Sequence, residues 1–172
     1  TDRDKRQLAP IHERLSRAGV HNAEVRSPKG EEDPLSDIKA SADLVLIDAP
    51  CTGTGTWRRN PDAKWRMRPG ALEVRLKDQA EVLERAGNFV KPGGRLAYIT
   101  CSVLPQENGE QIRKFIGRHP DFTVTPPSQT AAVLWDRTDD FLAAVYLSDE
   151  GLLMTPRRTG TDGFFVSVLR RG

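Results

Sequence analysis

The chain has 172 residues, and 26 Lys and Arg against 24 Asp and Glu leave a formal net charge of +2, which suits one globular domain of ordinary size. With 29% charged residues and no apolar run near the ~20 residues of a membrane-spanning helix, the composition argues against a membrane protein or an apolar fibre. Two cysteines are too few for a disulfide scaffold and the first residues carry no signal-peptide pattern, so a reducing cytoplasm is the expected location.

Between Asp4 and Ala18 the positions Leu8, Ile11 and Leu15 recur at spacings of three and four, which predicts one amphipathic helix with Pro10 near its first turns and Gly19 as its stop. A short strand is expected at Ala23-Glu24-Val25. A polar loop from Ser27 to Ser41, holding Pro28, Gly30 and Pro34, leaves room for one helical turn. The run Asp43-Leu44-Val45-Leu46-Ile47 suits a strand buried on both faces, ending in the turn Asp48-Ala49-Pro50-Cys51. A loop rich in Gly, Trp and Arg continues to Gly70. Leu72, Leu76, Leu83, Ala86 and Val90 form one stripe of a helix over 71–90, closed by Lys91-Pro92-Gly93-Gly94. A second buried strand over 95–99 leads into Thr100-Cys101-Ser102. Pro105 opens a helix with Ile112, Phe115 and Ile116 on one face, stopping near His119-Pro120. Strand-like pieces follow at 122–124, 142–147, 152–155 and 164–169. This order predicts an open α/β sheet with antiparallel strands at one edge. The chain opens on a polar tetrad and a helix, without the strand and Gly-rich turn that normally begin a doubly wound sheet. It therefore reads as the later part of a larger protein.

Ligands of open α/β sheets bind beyond the carboxyl ends of the parallel strands, where both cysteines lie. If the two strands are neighbours, Cys51 and Cys101 share one cleft; the alternative is two buried free thiols. No Cys-x-x-Cys or nearby His pair supplies further ligands, so no metal is expected. The small net charge does not announce a nucleic-acid binder, but charge is concentrated between Trp57 and Arg68. There Arg58, Arg59, Lys64, Arg66 and Arg68 face one acid, Asp62, and are interleaved with Trp57 and Trp65. Such a segment suits phosphates and unpaired bases, or else is a solvated loop whose indoles pack inward. Thr52-Gly53-Thr54-Gly55-Thr56 lacks the spacing and the Lys of a phosphate loop. His12, His21 and His119 show no partner pattern, and surface roles are expected of them.

Four ordered motifs carry a resemblance: Asp48-Ala49-Pro50-Cys51-Thr52-Gly53, Arg58-Arg59-Asn60-Pro61-Asp62-Ala63-Lys64-Trp65, the run from Lys91-Pro92-Gly93-Gly94 through Thr100-Cys101-Ser102-Val103-Leu104-Pro105-Gln106-Glu107-Asn108, and Asp162-Gly163-Phe164-Phe165. Together they resemble the Sun family of RNA cytosine-5 methyltransferases, especially the RsmB-like bacterial ribosomal RNA enzymes. The resemblance implies a class I, Rossmann-like fold using S-adenosylmethionine, incomplete at its N-terminus, and an RNA substrate, 16S ribosomal RNA, whose target base leaves its stack. It implies Cys101 as the nucleophile on carbon 6 of cytosine and Cys51 as the thiol that assists breakdown of the adduct. Asp48 would face both cofactor and cytosine, Pro50 would lie against the cofactor, and Asp2 would hold its ribose hydroxyls. Two alternatives stay open: Cys51 as nucleophile, as in DNA cytosine-5 methyltransferases, or a fragment that binds RNA without catalysis.

The sequence also departs from the family. The Gly-rich cofactor loop, its lysine and the N-terminal RNA-binding domain would precede Asp2, and the Gly-Asp pair expected near Ser27-Pro28 is missing, with Glu31, Glu32 or Asp33 as substitutes. Residues 1–172 are thus expected to form the C-terminal part of one catalytic domain, and exposed sheet edges to favour self-association.

Overall fold

In a computed structural model, which describes residues 1–2, 4–27, 33–134 and 138–172, Pro10 divides the opening helix in two. α1 (Lys5–Leu8) is capped by Asp4, whose carboxylate accepts from Arg6 N at 3.0 Å, and α2 (Ile11–Arg17) starts after the proline. A single helix was expected; proline has no N–H to donate and its ring crowds the preceding turn, so the helix restarts instead. With a 3-10 turn at Ser36–Ile38, these helices belong to a first unit, Thr1–Lys39. Arg26 ties that unit together by pairing with Glu24 at 2.9 Å and with Asp37. Residues 23–25 form no strand, because a strand needs a neighbour to complete its ladder and none pairs here. Pro28, Gly30, Glu31 and Glu32 lie outside the described residues.

The second unit, Ala40–Gly172, holds the sheet. In chain order it contains β1 (Ala42–Asp48), α3 (Ala63–Arg66), α4 (Ala71–Gly87), β2 (Val90–Thr100), α5 (Gly109–Arg118) and β3 (Phe122–Val124). α6 (Pro127–Leu134), α7 (Thr138–Ala144), β4 (Tyr146–Leu147), β5 (Leu152–Met154), α8 (Pro156–Thr159) and β6 (Phe164–Arg171) follow. The strand order is β1-β2-β6-β5-β4, with β3 also on β6. β1 and β2 are parallel and joined across α4, while β6 runs antiparallel to β2, β3 and β5. The expected open α/β sheet with an antiparallel side is therefore present. Leu83 and Ala86 of α4 and Ile112 and Phe115 of α5 bury one face of it, against Ile47, Leu96, Tyr98 and Leu169.

Three local readings change. β1 is not buried on both faces: Val45 and Ile47 join the core, whereas Leu44 and Leu46 alternate to the other side and are 50% and 60% exposed. Lys91-Pro92-Gly93-Gly94 does not end an element but forms an irregularity within β2, where the register steps from Ala42 opposite Val90 to Leu44 opposite Arg95. The apolar run 142–147 is divided: its first half ends α7, with Phe141 and Val145 packing on Ala131 and Leu152, and only Tyr146–Leu147 forms the expected strand; a short apolar run fits either period.

Candidate active site

The carboxyl ends of β1 and β2 bring the two cysteine turns together. Ala49 N donates to Ile99 O at 2.9 Å, extending the parallel pairing just past Asp48. The chain then reverses at Gly53, whose φ of +71° suits glycine, and Gly55 N donates to Cys101 O at 2.9 Å. On its other side Gly55 O accepts from Gly163 N at 2.8 Å, so the first turn is held between the Cys101 loop and the start of β6. A Cβ on Gly55 would lie 2.1 Å from Gly163 O, which excludes any side chain there.

This stack leaves Cys51 Sγ 3.3 Å from Cys101 Sγ, both half-buried and both free thiols. Two sulfurs so close are within hydrogen-bond distance, and once one is a thiolate the other donates to it. The Cys51 S–H donates to Cys101, which holds the Cys101 thiol down at about 7, against burial and the negative charges of Asp48 and Glu107. The same hydrogen bond, with burial, pushes the Cys51 thiol far up, so Cys101 loses its proton first. The guanidinium of Arg59, raised above its ordinary value mainly by Asp162, also lies within electrostatic reach of Cys101. Asp48 is exposed at the end of β1. Pro50 is half-buried beside it, and Asp2, in the first unit, accepts from Asp4 N at 2.8 Å.

Beneath the thiols lies a buried polar network that motif reading did not assign. Glu107 is fully buried; its Oε1 accepts from Thr52 N at 2.8 Å and Gln79 Nε2 at 3.0 Å, and its Oε2 from Thr52 Oγ1 at 2.5 Å. Gln79 Nε2 also donates to Pro50 O at 2.9 Å. Asn108 accepts from Thr100 Oγ1 at 2.6 Å and donates to Ser102 O at 2.9 Å, and Thr54 Oγ1 lies 3.0 Å from Ser102 Oγ. One signal for this was present in the sequence: Gln79 interrupts the stripe Leu72, Leu76, Leu83, Ala86 at a core-facing position. A polar residue there must find partners when buried.

The basic segment wraps the outer side of the first turn. Arg59 pairs with Asp162 at 2.8 Å, and Arg58 donates to Pro156 O and Gly160 O at 3.4 and 3.3 Å, both side chains staying exposed. Trp57 is half-buried, its indole N–H enclosed and without an acceptor among the described residues. Trp65 is 81% exposed, with the Lys64 ammonium 4.9 Å from its ring centre. Arg66 pairs with Asp62 at 2.8 Å, and Arg68 is exposed. Arg66, Met67, Ala63, Ala71 and Arg75 line a cleft of about 350 Å³ whose floor is Cys51 and Thr52. His119 stacks on Phe115, ring centres 4.4 Å apart, and bonds Glu84 at 2.6 Å, away from the thiols.

Paired thiols thus stand at the ends of neighbouring parallel strands, on a sheet that turns antiparallel, and comparison with known proteins gives this arrangement its class. The crystal structure of PH0851 superposes with a TM-score of 0.77 at 33% identity, over 99% of this chain and 36% of that one. NSun6 from Pyrococcus horikoshii, solved with SFG, gives 0.71 at 25% identity, over 99% and 40%. The fold is that of the class I methyltransferases. Residues 1–170 match the family described as 16S rRNA methyltransferase RsmB/F, and the ribosomal RNA small subunit methyltransferase B of Cronobacter sakazakii is 34% identical over 168 residues, 98% of this chain and 35% of that one. The chain belongs to the RsmB/F family, and spans about a third of the length of these relatives.

Proposed function

We propose that the protein methylates carbon 5 of cytosine in RNA, with small-subunit ribosomal RNA as the substrate suggested by the names of its relatives. The observation that carries this reading is the 3.3 Å approach of Cys51 Sγ to Cys101 Sγ. Carbon 5 of cytosine is a poor nucleophile until a thiolate adds to carbon 6, and the addition must later be undone. Cys101, the thiol that ionises first, adds to carbon 6. Cys51, which keeps its proton, stands beside the Cys101 sulfur when that bond breaks and assists its departure. The carbon-5 proton passes to a base as the thiolate leaves.

S-adenosylmethionine, when bound, supplies an electrophilic methyl group. The fit is supported by Asp48, whose exposed carboxylate makes no hydrogen bond among the described residues and is available to an ammonium or to the amino edge of cytosine. Pro50 closes the same turn, and the relative solved with SFG, an analogue of S-adenosylmethionine, supports the same cofactor class. Arg66 lines the cleft, and the exposed Lys64, Trp65 and Arg68 in the same segment, with Trp57, Arg58 and Arg59 earlier in it, offer phosphate partners and a stacking face.

The test is to incubate a Cys51→Ala variant with cytosine-containing RNA and S-adenosylmethionine, then look for an adduct that survives denaturant. A protein–RNA adduct should accumulate and vanish when Cys101 is also replaced. Methylation at the parental rate by a Cys101→Ala variant would overturn the assignment.

A further inference from the structure

Glu107 is a fully buried carboxylate with no cation among its contacts in the described residues. Such a group persists only where hydrogen-bond donors converge on it. All three donors on its oxygens come from one side of the site: the N–H and hydroxyl of Thr52, the residue after Cys51, and the amide of Gln79, which also holds Pro50 O, the residue before it. Its own main chain is fixed separately, by Tyr98 O–H donating to Glu107 O at 2.7 Å and by the 3-10 turn that follows the Cys101 loop. Glu107 thus grips the turn directly at Thr52, and through Gln79 at Pro50, while standing on the segment that carries Cys101.

We propose that Glu107 is a positioning residue that holds the Cys51 thiol against the Cys101 sulfur. The role rests on the reading of Cys101 as nucleophile and Cys51 as its companion thiol. The charge of Glu107 has the wrong sign to favour a neighbouring thiolate, so its contribution is geometric: it fixes the donor that does favour one. The charged and titratable groups facing Cys101 are Cys51 from the first turn, Asp48 from the end of β1, Glu107 from below and Arg59 from the basic loop.

Opposite signs separate the two effects. In a Glu107→Gln variant, loss of a nearby negative charge alone would lower the pH midpoint for alkylation of Cys101, whereas loss of the Cys51 contact raises it. The experiment measures iodoacetamide modification of the Cys101 peptide by mass spectrometry across pH 5–10, and the rate at which diamide oxidises Cys51 and Cys101 to a disulfide, itself being reduced to the hydrazine. Glu107→Gln should raise the midpoint, slow alkylation at pH 7 by about 3- to 10-fold and slow disulfide formation to a similar degree. Thr52→Val, which removes one donor, should show a smaller change in the same direction, and Thr52→Ser should restore parental behaviour. A midpoint that falls or stays put, with disulfide formation unchanged, overturns the proposal. Should Glu107→Gln fail to fold, the Thr52 pair decides in the same way. Neither readout needs RNA, so absence of any RNA adduct in the Cys51→Ala variant, with these shifts present in the Glu107 and Thr52 variants, would sink the functional reading and leave the positioning role standing.

Discussion

At Cys101 the chemistry depends on a balance of small electrostatic effects. Its thiol sits at about 7 because the Cys51 S–H donation outweighs burial and the charges of Asp48 and Glu107. Its thiolate is therefore more populated near neutrality than that of an unperturbed cysteine, whose pKa near 8.5 leaves only a few per cent ionised. Reactivity of Cys101 should climb with pH and level off above 7. Removing the donor with Cys51→Ala moves the midpoint of alkylation upward, and removing a negative charge with Asp48→Asn moves it downward, with a several-fold faster reaction at pH 6. Both are read by mass spectrometry of the Cys101 peptide. A shift of the same sign in both variants would contradict this balance.

The elements around the site meet at very short range, and the glycine pair Gly55 and Gly163 shows the cost of that closeness. A methyl group on Gly55 collides with the carbonyl of Gly163, and one on Gly163 would meet Val103 Cγ1 at 2.6 Å and Gly55 Cα at 2.8 Å. Gly55→Ala should destabilise the protein by about 3 kcal/mol, because backbone has to move rather than a flexible side chain. The midpoint of urea unfolding measures this, and a midpoint equal to the parent's would show that the turn is slack. Much of the arrangement was legible in the sequence: the strand-end cysteines, the helical stripe of α4 and the two parallel strands all follow from local pattern. The Gly55–Gly163 contact was not, since two segments 108 positions apart carry no mark of their meeting except a glycine in each. Glu107 escaped for a related reason. A glutamate within a polar run reads as solvated surface until the fold closes over it, and Gln79 alone betrayed the buried polar layer. Element type was ambiguous where a short apolar run fits both periods, so the run expected as a strand from Leu142 begins instead within α7.

For the whole molecule, the sheet is closed on one face by α4 and α5 and open along the outer edge of β1, where no strand pairs among the described residues. Leu44 and Leu46 stand exposed beside that open ladder. A second copy would offer the same edge, and two such edges would pair antiparallel about a twofold axis. The 172-residue chain should therefore show a mass that rises toward a dimer with concentration in light scattering, and Leu46→Lys should return it to monomer. A monomer at every concentration would refute this. The position of β6 has a different consequence. It follows every other strand in the sequence yet runs through the middle of the sheet, touching β2 on one side and β3 and β5 on the other. On a ribosome, the strands made earlier must wait for it with their inner edges unpaired, and the loop that clasps Gly55 is completed only as Gly163 emerges. The segment from Gly163 onward thus decides whether the two thiols ever meet, and a nascent chain stalled before it would present a template for misassembly rather than a half-finished enzyme.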